Sequence, residues 1–221
     1  MSPQLQNIPS TPQDGETVAL RDGGWIRYWK NFLAAPEAER LFETLRRDVP
    51  WQQFRNGLWI FPRLTAFVAD AGVVYRYSGV KHAGAGWTST LLDVRRRVEQ
   101  VSGTTFNGVL LNLYRDGSDS MGRHADAEAV LGPNPLVASV SLGAARTFLL
   151  RHTATKEKRA LELTHGSLLL MGGTPATSLD ARGAQGESAR GRTDQSHVPS
   201  LRRVTLKATS GAHPHESMYL R

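Results

Sequence analysis

A series of short apolar runs in the second half of the chain constrains the fold more strongly than any other sequence feature. Buried strands read as short apolar runs bounded by turn residues, whereas helices need longer stretches. Five such runs follow one another, at Gly108–Tyr114, 137–143, 146–151, 161–163 and 167–171. Many short strands at regular spacing are typical of a double-sheet jelly roll, or double-stranded β-helix. The sequence therefore predicts a mainly β fold of this kind with flanking helices.

Two helices are expected in the segments before these strands. The first begins near Pro36, which suits a first helical turn, and its apolar stripe includes Leu41 and Leu45. The second is predicted over about 87–101 and carries three consecutive arginines from Arg95 onward. We interpret these arginines as a solvated helix face.

His124 and Asp126 follow the first predicted strand and stand two positions apart. Alternate residues of an extended segment project to the same side, so an imidazole nitrogen and a carboxylate oxygen could reach one metal ion. Such a pair supplies two of the three ligands in the 2-His-1-carboxylate triad that holds non-haem iron. A polar loop after a strand is the alternative, and the tripeptide alone does not separate the two.

The chain carries a net charge of +7 and contains no cysteine. A basic surface attracts phosphate backbones through counterion release, although many basic proteins bind no nucleic acid. Arg55, Arg63 and Arg76 stand among aromatic and apolar residues, an interleaving that suits the recognition of exposed bases. We therefore expect a nucleic-acid partner.

Residues 1–24 contain no apolar stretch long enough for a secretory signal or a membrane span. We expect a flexible N-terminal lead-in over this range and no membrane partner. The absence of cysteine removes disulfides and thiolate metal sites and fits a reducing compartment. A cytoplasmic monomer is the expectation.

Further motifs stand in a fixed order along the chain: Pro62-Arg63, Val74-Tyr-Arg-Tyr-Ser-Gly79, Ser102-Gly-Thr-Thr-Phe-Asn107, Asn112-x-Tyr114, His124-x-Asp126-x-Glu128, Ser139-Val-Ser-Leu-Gly143 and His165-Gly-Ser-Leu168. With them the chain resembles the AlkB family of Fe(II)/2-oxoglutarate dioxygenases, specifically its DNA-repair branch, from about Phe32 to Met171. The resemblance implies oxidative demethylation of N-alkylated nucleobases in DNA or RNA. The products would be formaldehyde, succinate and CO₂.

The resemblance also implies an iron site and a co-substrate site. His124 and Asp126 match the Fe(II) ligands, and 2-oxoglutarate and O₂ are the implied co-substrates. Asn112 and Tyr114 match the pair that hydrogen-bonds 2-oxoglutarate. The structural alternative for these two residues is packing at the end of a strand.

Recognition of a base that reacts at a buried iron requires a nucleotide that is flipped out or supplied single-stranded. By resemblance, residues of about 51–80 form a nucleotide-recognition lid, in which 55–59 take the place of a hairpin that probes the duplex. Tyr75 and Tyr77 match the family's stacking aromatics. Glu128 matches the acidic residue that contacts the lesion base, and a carboxylate favours a base made cationic by alkylation. The alternative for Glu128 is a solvent-facing loop residue.

The C-terminal region departs from the family pattern after Thr174. The pattern requires a Trp-x-His segment with the second iron-binding His, followed by an Arg-x-Asn-x-Thr-x-Arg strand that closes the sheet and holds the 2-oxoglutarate carboxylates. Here the chain continues with a stretch rich in Gly, Ser, Arg and Gln that lacks the alternation of a buried strand. We therefore expect the closing strand to be missing and the tail of 175–221 to be irregular or poorly packed.

The genetic code offers an explanation for this departure. One permitted set of codons for Ala176 to Pro199, read one base out of frame, encodes QHRWMHAVPKESPRVGERINLTFR. This peptide, termed here the frame-corrected segment, contains the missing His and both arginines in the family order. We interpret 25–174 as an AlkB-like dioxygenase domain and 175–221 as an out-of-frame tail.

Two other functions stay open at this point. One is a catalytically impaired AlkB-like protein that binds nucleic acid without a complete iron site. The other is a related dioxygenase that acts on tRNA or on a protein side chain. Tyr77 together with Glu128 favours a nucleobase over a protein substrate.

Overall fold

The computed structural model describes residues 6–7, 14–56, 58–77, 80–83, 86–116, 118–119, 136–152, 154–173, 182–183, 203–209 and 218–220. Two α-helices lie in this part of the chain, α1 (Ala35–Asp48) and α2 (Ser89–Ser102). The strands are β1 (Gln6–Asn7), β2 (Thr17–Ala19), β3 (Trp25–Trp29), β4 (Arg55–Asn56), β5 (Trp59–Ile60), β6 (Leu64–Ala69), β7 (Val74–Tyr77), β8 (Val80–Ala83), β9 (Gly108–Tyr114), β10 (Val137–Gly143), β11 (Arg146–Arg151), β12 (Lys158–Leu163), β13 (Ser167–Gly172), β14 (Arg182–Gly183), β15 (Arg203–Thr209) and β16 (Met218–Leu220). The fold is strand-rich with two helices, and the five predicted strands are confirmed as β9 to β13.

Seven strands form the main sheet in the order β2-β3-β13-β10-β15-β9-β6, and every neighbouring pair in it is antiparallel. A second sheet has the order β1-β12-β11-β14, in which only the β1 and β12 pair is parallel. Strands β16, β7 and β8 form a third sheet, and β4 pairs with β5.

The core lies on both faces of the main sheet. On one face, Leu111 and Val140 of the sheet belong to an apolar cluster that includes the buried sides of α1 and α2. On the other face, Tyr28 packs in a cluster with Leu150 and Leu161 of the second sheet. The main sheet therefore lies between the helices and the second sheet. We call its face toward the second sheet the inner face.

The arginines of α2 are held in local ion pairs. Arg96 contacts Asp93 at 2.8 Å, and Arg97 contacts Glu37 of α1 at 2.8 Å. Arg95 is less exposed and lies between two carboxylates. The interpretation of this arginine run as a solvated helix face is therefore confirmed for Arg96 and Arg97, whereas Arg95 lies against the ring of Trp87 with its side chain only 20% exposed. Because all three are paired, the run supplies little uncompensated positive charge.

The N-terminus of α2 provides a stability test. The Oγ1 of Thr88 accepts the backbone N–H of Leu91 at 3.3 Å, which satisfies one of the free donors at the start of the helix. We expect Thr88→Ala to lower the free energy of unfolding by about 1 kcal/mol. Chemical denaturation measures the change. Thr88→Ser keeps the hydroxyl and serves as the control; an equal loss in both variants would contradict a capping role.

The C-terminal tail corrects the expectation of a missing closing strand. Strand β15 lies in the main sheet between β9 and β10, and Val204 and Leu206 are only 0% and 4% exposed. The register places Leu206 opposite Leu111 and Val140, both in the cluster that faces the helices. The prediction of a tail without a closing strand is therefore wrong for 203–209.

The physical reason is backbone hydrogen bonding combined with a fitting sequence pattern. Strands β9 and β10 are buried, and their N–H and C=O groups would cost free energy if they were left unpaired. The sequence Arg-Val-Thr-Leu-Lys-Ala-Thr of β15 alternates apolar and polar residues, so it can pair with both neighbours and bury one face. The stretch before β15 is rich in Gly, Ser, Arg and Gln, and this composition led to the prediction that the whole tail is irregular.

Parts of the predicted lead-in over 1–24 also join the sheets. Strand β2 pairs with β3 in the main sheet, and Gly15 donates its N–H to the carbonyl of Tyr28 at 2.9 Å. Strand β1 pairs with β12 of the second sheet. Among the described helices, none has the length and apolar character that a membrane crossing requires.

Candidate co-substrate site and nucleic-acid surface

Strand β9 presents its predicted site residues on the inner face. Val109, Leu111 and Leu113 belong to the apolar cluster that the helices cover. Because side chains alternate along a strand, Asn112 and Tyr114 belong to the opposite face, toward the second sheet. Both are buried. The two residues predicted to bind 2-oxoglutarate therefore lie two positions apart on the same face of the strand.

Asn112 has a defined partner in Arg63. The Nε of Arg63 donates a hydrogen bond to the Oδ1 of Asn112 at 2.8 Å. Asn112 is 1% exposed and Arg63 is 3% exposed, so this charge-assisted contact is shielded from water. Arg63 was expected among the residues that read exposed bases. Its burial corrects that expectation, since a guanidinium that is hidden beside β9 does not lie on the surface.

Thr65 adds a polar group beside Asn112. The two residues are directly paired in register between β6 and β9. The Oγ1 of Thr65 is buried and has no hydrogen-bond partner within the described part of the chain. A buried hydroxyl without a partner costs free energy, so this atom indicates a place where a polar ligand fits. Asn112 and Thr65 together give the inner face the polar groups that a carboxylate-bearing co-substrate needs.

Tyr114 is held by Arg146 of the second sheet. The guanidinium carbon of Arg146 lies 4.5 Å from the centroid of the Tyr114 ring, a cation–π distance. The Nη2 of Arg146 also donates to the backbone carbonyl of Asp119 at 2.8 Å. Arg146 therefore links the end of β9, the start of β11 and the chain that leaves β9.

The turn after β9 is tied down by Asp119, which is 2% exposed. Its carboxylate accepts hydrogen bonds from the backbone N–H, Nε and Nη2 of Arg115 at 2.8–2.9 Å. The side-chain bond to Asp119 is the largest cause of a raised pKa of Arg115. Ser118 donates its hydroxyl and its N–H to Asp116 and lowers the pKa of that carboxyl. This turn fixes the point from which the chain continues toward His124.

The predicted metal ligands His124 and Asp126 and the predicted base contact Glu128 lie outside the described residues. Tyr75 and Tyr77 are on β7, which pairs with β8 and, in parallel, with β16. Within the described ranges, no three His, Cys, Asp or Glu side chains are grouped to hold a metal. The described residues therefore include the candidate co-substrate contacts Asn112 and Tyr114, and the iron ligands remain a prediction.

Two histidines that could be taken for ligands have structural partners instead. The Nδ1 of His165 accepts the N–H of Gly143 at 2.8 Å and joins the turns at the ends of β10 and β12. The Nε2 of His152 lies 2.6 Å from a carboxylate oxygen of Asp22. His165 therefore has a structural role at this turn.

The hairpin β4–β5 carries an apolar residue at its tip. Leu58 is 103% exposed, and Ile60 on the following strand is also exposed. Arg55 at the base of the hairpin is exposed as well. A protruding hairpin with an apolar tip and a basic side chain is suited to contact stacked bases and phosphates. The hairpin predicted for 55–59 is present.

Sequence patterns did not reveal every residue of this site. Thr65, Asp119 and Arg146 were not predicted, and Arg63 was assigned to the wrong environment. Thr65 is identified only by its buried Oγ1, and Arg146 only by its contact with Tyr114 on the other sheet. The Pro62-Arg63 motif was the one sequence signal at this position.

Comparisons with known proteins match most of the chain. The profile of the 2OG-Fe(II) oxygenase superfamily matches residues 26–176. The DNA oxidative demethylase ALKBH2 of Mus musculus is 41% identical over 152 residues, which cover 61% of this chain and 63% of that protein. The alpha-ketoglutarate-dependent dioxygenase alkB homolog 3 of Homo sapiens is 36% identical over 167 residues, which cover 69% of this chain and 57% of that protein. The chain thus spans less than two-thirds of either relative.

A solved structure supports the same architecture. The structure of OsALKBH1 superimposes with a TM-score of 0.60 at 14% sequence identity, covering 88% of this chain and 100% of that chain. At this level of identity the match concerns the fold. It agrees with a strand-rich chain that packs helices on one face of its main sheet.

Proposed function

The chain belongs to the AlkB family of the 2OG-Fe(II) oxygenase superfamily, and on this basis we propose that it demethylates N-alkylated nucleobases in DNA or RNA oxidatively. The observation that carries the proposal is the sequence match over 26–176, within which Asn112 and Tyr114 share the inner face of β9. We infer that the main and second sheets form the double-stranded β-helix of this family.

The candidate co-substrate site supplies the binding part of the mechanism. Asn112 and Tyr114 bind 2-oxoglutarate, and the buried polar group of Thr65 beside Asn112 supports an oxygen-rich ligand there. By family resemblance His124 and Asp126 would hold Fe(II), and the bound metal would supply, with 2-oxoglutarate and O₂ as co-substrates, the oxidation of the N-methyl carbon to a hydroxymethyl group. Oxidative decarboxylation of 2-oxoglutarate to succinate and CO₂ would supply the other two electrons that the reduction of O₂ requires. The hydroxymethyl product is a hemiaminal, and cleavage of its C–N bond would release formaldehyde and leave the demethylated base.

The lid residues supply recognition of the base. Tyr75 and Tyr77 on β7 are proposed to stack on the flipped base, and Glu128 to contact its polar edge. The hairpin that carries the exposed Leu58 supports a role for the lid in separating the stacked base pairs of a duplex. Recognition of a cationic methylated base by a carboxylate also explains why a basic protein would carry an acidic group at this point.

The test is formaldehyde release from a methylated oligonucleotide that depends on both Fe(II) and 2-oxoglutarate. The second candidate, an impaired relative that binds nucleic acid, is favoured by the absence of a Trp-x-His segment after Thr174. Binding of the oligonucleotide without formaldehyde release in either the chain or its frame-corrected form would select that candidate. Formaldehyde release by the frame-corrected form would support the demethylase function.

The hairpin tip gives a separate prediction about the substrate. We expect Leu58→Ala to weaken binding to a methylated duplex about 5-fold, equivalent to about 1 kcal/mol of apolar contact. Binding to the same strand without its complement should change little, because a wedge acts on stacked base pairs. Val101→Ala, an apolar truncation at an exposed site on α2, is the control. Equal losses on both substrates would contradict a wedge.

A further inference from the structure

We propose that Arg63 is a positioning residue that fixes the side-chain amide of Asn112 with its N–H₂ group toward the co-substrate. An asparagine side chain has one oxygen that accepts and one nitrogen that donates hydrogen bonds. A guanidinium has only donors. Because the Nε of Arg63 lies 2.8 Å from the amide of Asn112, the Oδ1 must be the atom that faces it.

The orientation of the amide determines the chemistry of the ligand. Because Oδ1 faces Arg63, the Nδ2 of Asn112 points away from the guanidinium. Within the described part of the chain, the side chain of Asn112 has no second hydrogen-bond partner. The site therefore presents donors to its ligand, and the ligand must supply an acceptor oxygen, such as a carboxylate. If the amide rotated, Oδ1 would meet that carboxylate and repel it.

Burial makes this arrangement specific. Arg63 and Asn112 are both almost fully buried, so water does not readily replace either partner. The positive charge also favours an anionic ligand beside it. Thr65, which pairs with Asn112 in register and carries a hydroxyl without a partner in the described part of the chain, adds a second polar group at the same point.

The inference rests on the proposed function, because it takes 2-oxoglutarate as the ligand of this pocket. The test titrates 2-oxoglutarate into the full chain labelled with ¹⁵N-asparagine and follows the side-chain N–H₂ signals by NMR, a method that also measures weak binding. The signal of Asn112 is identified by its loss in Asn112→Ala. Formaldehyde release is measured in parallel on the frame-corrected chain carrying the same substitutions.

We expect 2-oxoglutarate to shift the Asn112 signal in the original chain and Arg63→Met to weaken binding roughly 10-fold, the lower end of the loss seen when orienting partners are removed. In the Asn112→Ala background, Arg63→Met should have almost no further effect, since Arg63 acts through Asn112. Arg96→Met, which removes an exposed arginine of α2, should leave the affinity unchanged.

Asn112→Asp tests the donor requirement without altering Arg63. The carboxylate keeps the acceptor for Arg63 and removes the Nδ2 donors, so 2-oxoglutarate binding should fall as far as in Asn112→Ala. Should Arg63→Met fail to fold, this variant decides the question, and an unchanged affinity overturns the proposal.

Three other results overturn it: no binding of 2-oxoglutarate to the original chain, no shift of the Asn112 signal, or an equal effect of Arg63→Met with and without Asn112. Coupling between Arg63 and Asn112 without formaldehyde release from the frame-corrected chain supports the positioning role and contradicts the demethylase function alone. Formaldehyde release without that coupling contradicts the positioning role and supports the demethylase function.

Discussion

A chain in which residues 176–221 are replaced by the frame-corrected segment is expected to bind Fe(II) tightly and to release formaldehyde from methylated DNA. The original chain is expected to bind Fe(II) weakly and to react poorly or not at all. The segment supplies the second histidine and the arginine pair that the family pattern requires and that this chain lacks after Thr174. Loss of a direct ligand should cost at least as much as the roughly 10–100-fold typical of outer-sphere partners.

The matched control is His124→Ala in the frame-corrected protein, which should abolish both iron binding and demethylation. Fe(II) binding by calorimetry and formaldehyde release are the two readouts. Full activity of the original chain would contradict the frameshift interpretation and require another residue of the tail, such as His197, as the third ligand. Sequencing of the nucleotides around codon 174 gives an independent check.

Leu206→Ala is expected to lower the free energy of unfolding by about 2–5 kcal/mol, the range for a leucine truncated in a packed core. Leu206 is buried on β15, opposite Leu111 and Val140 in the register of the main sheet. A truncation here leaves a cavity in the layer between the sheet and the helices. Chemical denaturation of the two proteins gives the difference.

The same substitution at an exposed leucine is the control. Leu58→Ala should change stability by less than about 0.5 kcal/mol, because the side chain is in solvent. If Leu206→Ala were equally neutral, β15 would not be part of the folded sheet, and the tail would be irregular as the composition of 175–196 indicates. A large difference would show that 203–209 closes the sheet even in the uncorrected chain.

These two predictions are compatible because β15 and the frame-corrected segment share a pattern. The segment ends in Arg-Ile-Asn-Leu-Thr-Phe-Arg, and β15 reads Arg-Val-Thr-Leu-Lys-Ala-Thr. Apolar residues occupy the second, fourth and sixth positions of both, and polar residues the others. Both peptides can therefore pair between β9 and β10 with one apolar face toward the helices. Only the frame-corrected peptide has the two arginines at its ends.

The sequence alone determined the strands that carry the site and the family to which the chain belongs. The apolar runs of β9, β10 and β13 are long enough and bounded clearly enough to be identified one by one, because a strand buried on both faces leaves a continuous apolar signal. The common face of Asn112 and Tyr114 follows from the same strand assignment, since two residues on alternate positions of a strand share a face.

Tertiary structure alone decided the partners of those residues. Arg63 reads as a surface arginine in the sequence, and only the pairing of β6 with β9 brings it against Asn112, 49 positions away. Arg146 reaches Tyr114 only because the second sheet packs on the main sheet. The strand β15 was missed because seven alternating residues within a polar tail carry a weak local signal. Their place in the sheet is set by the unpaired backbone of β9 and β10, which no local pattern can show.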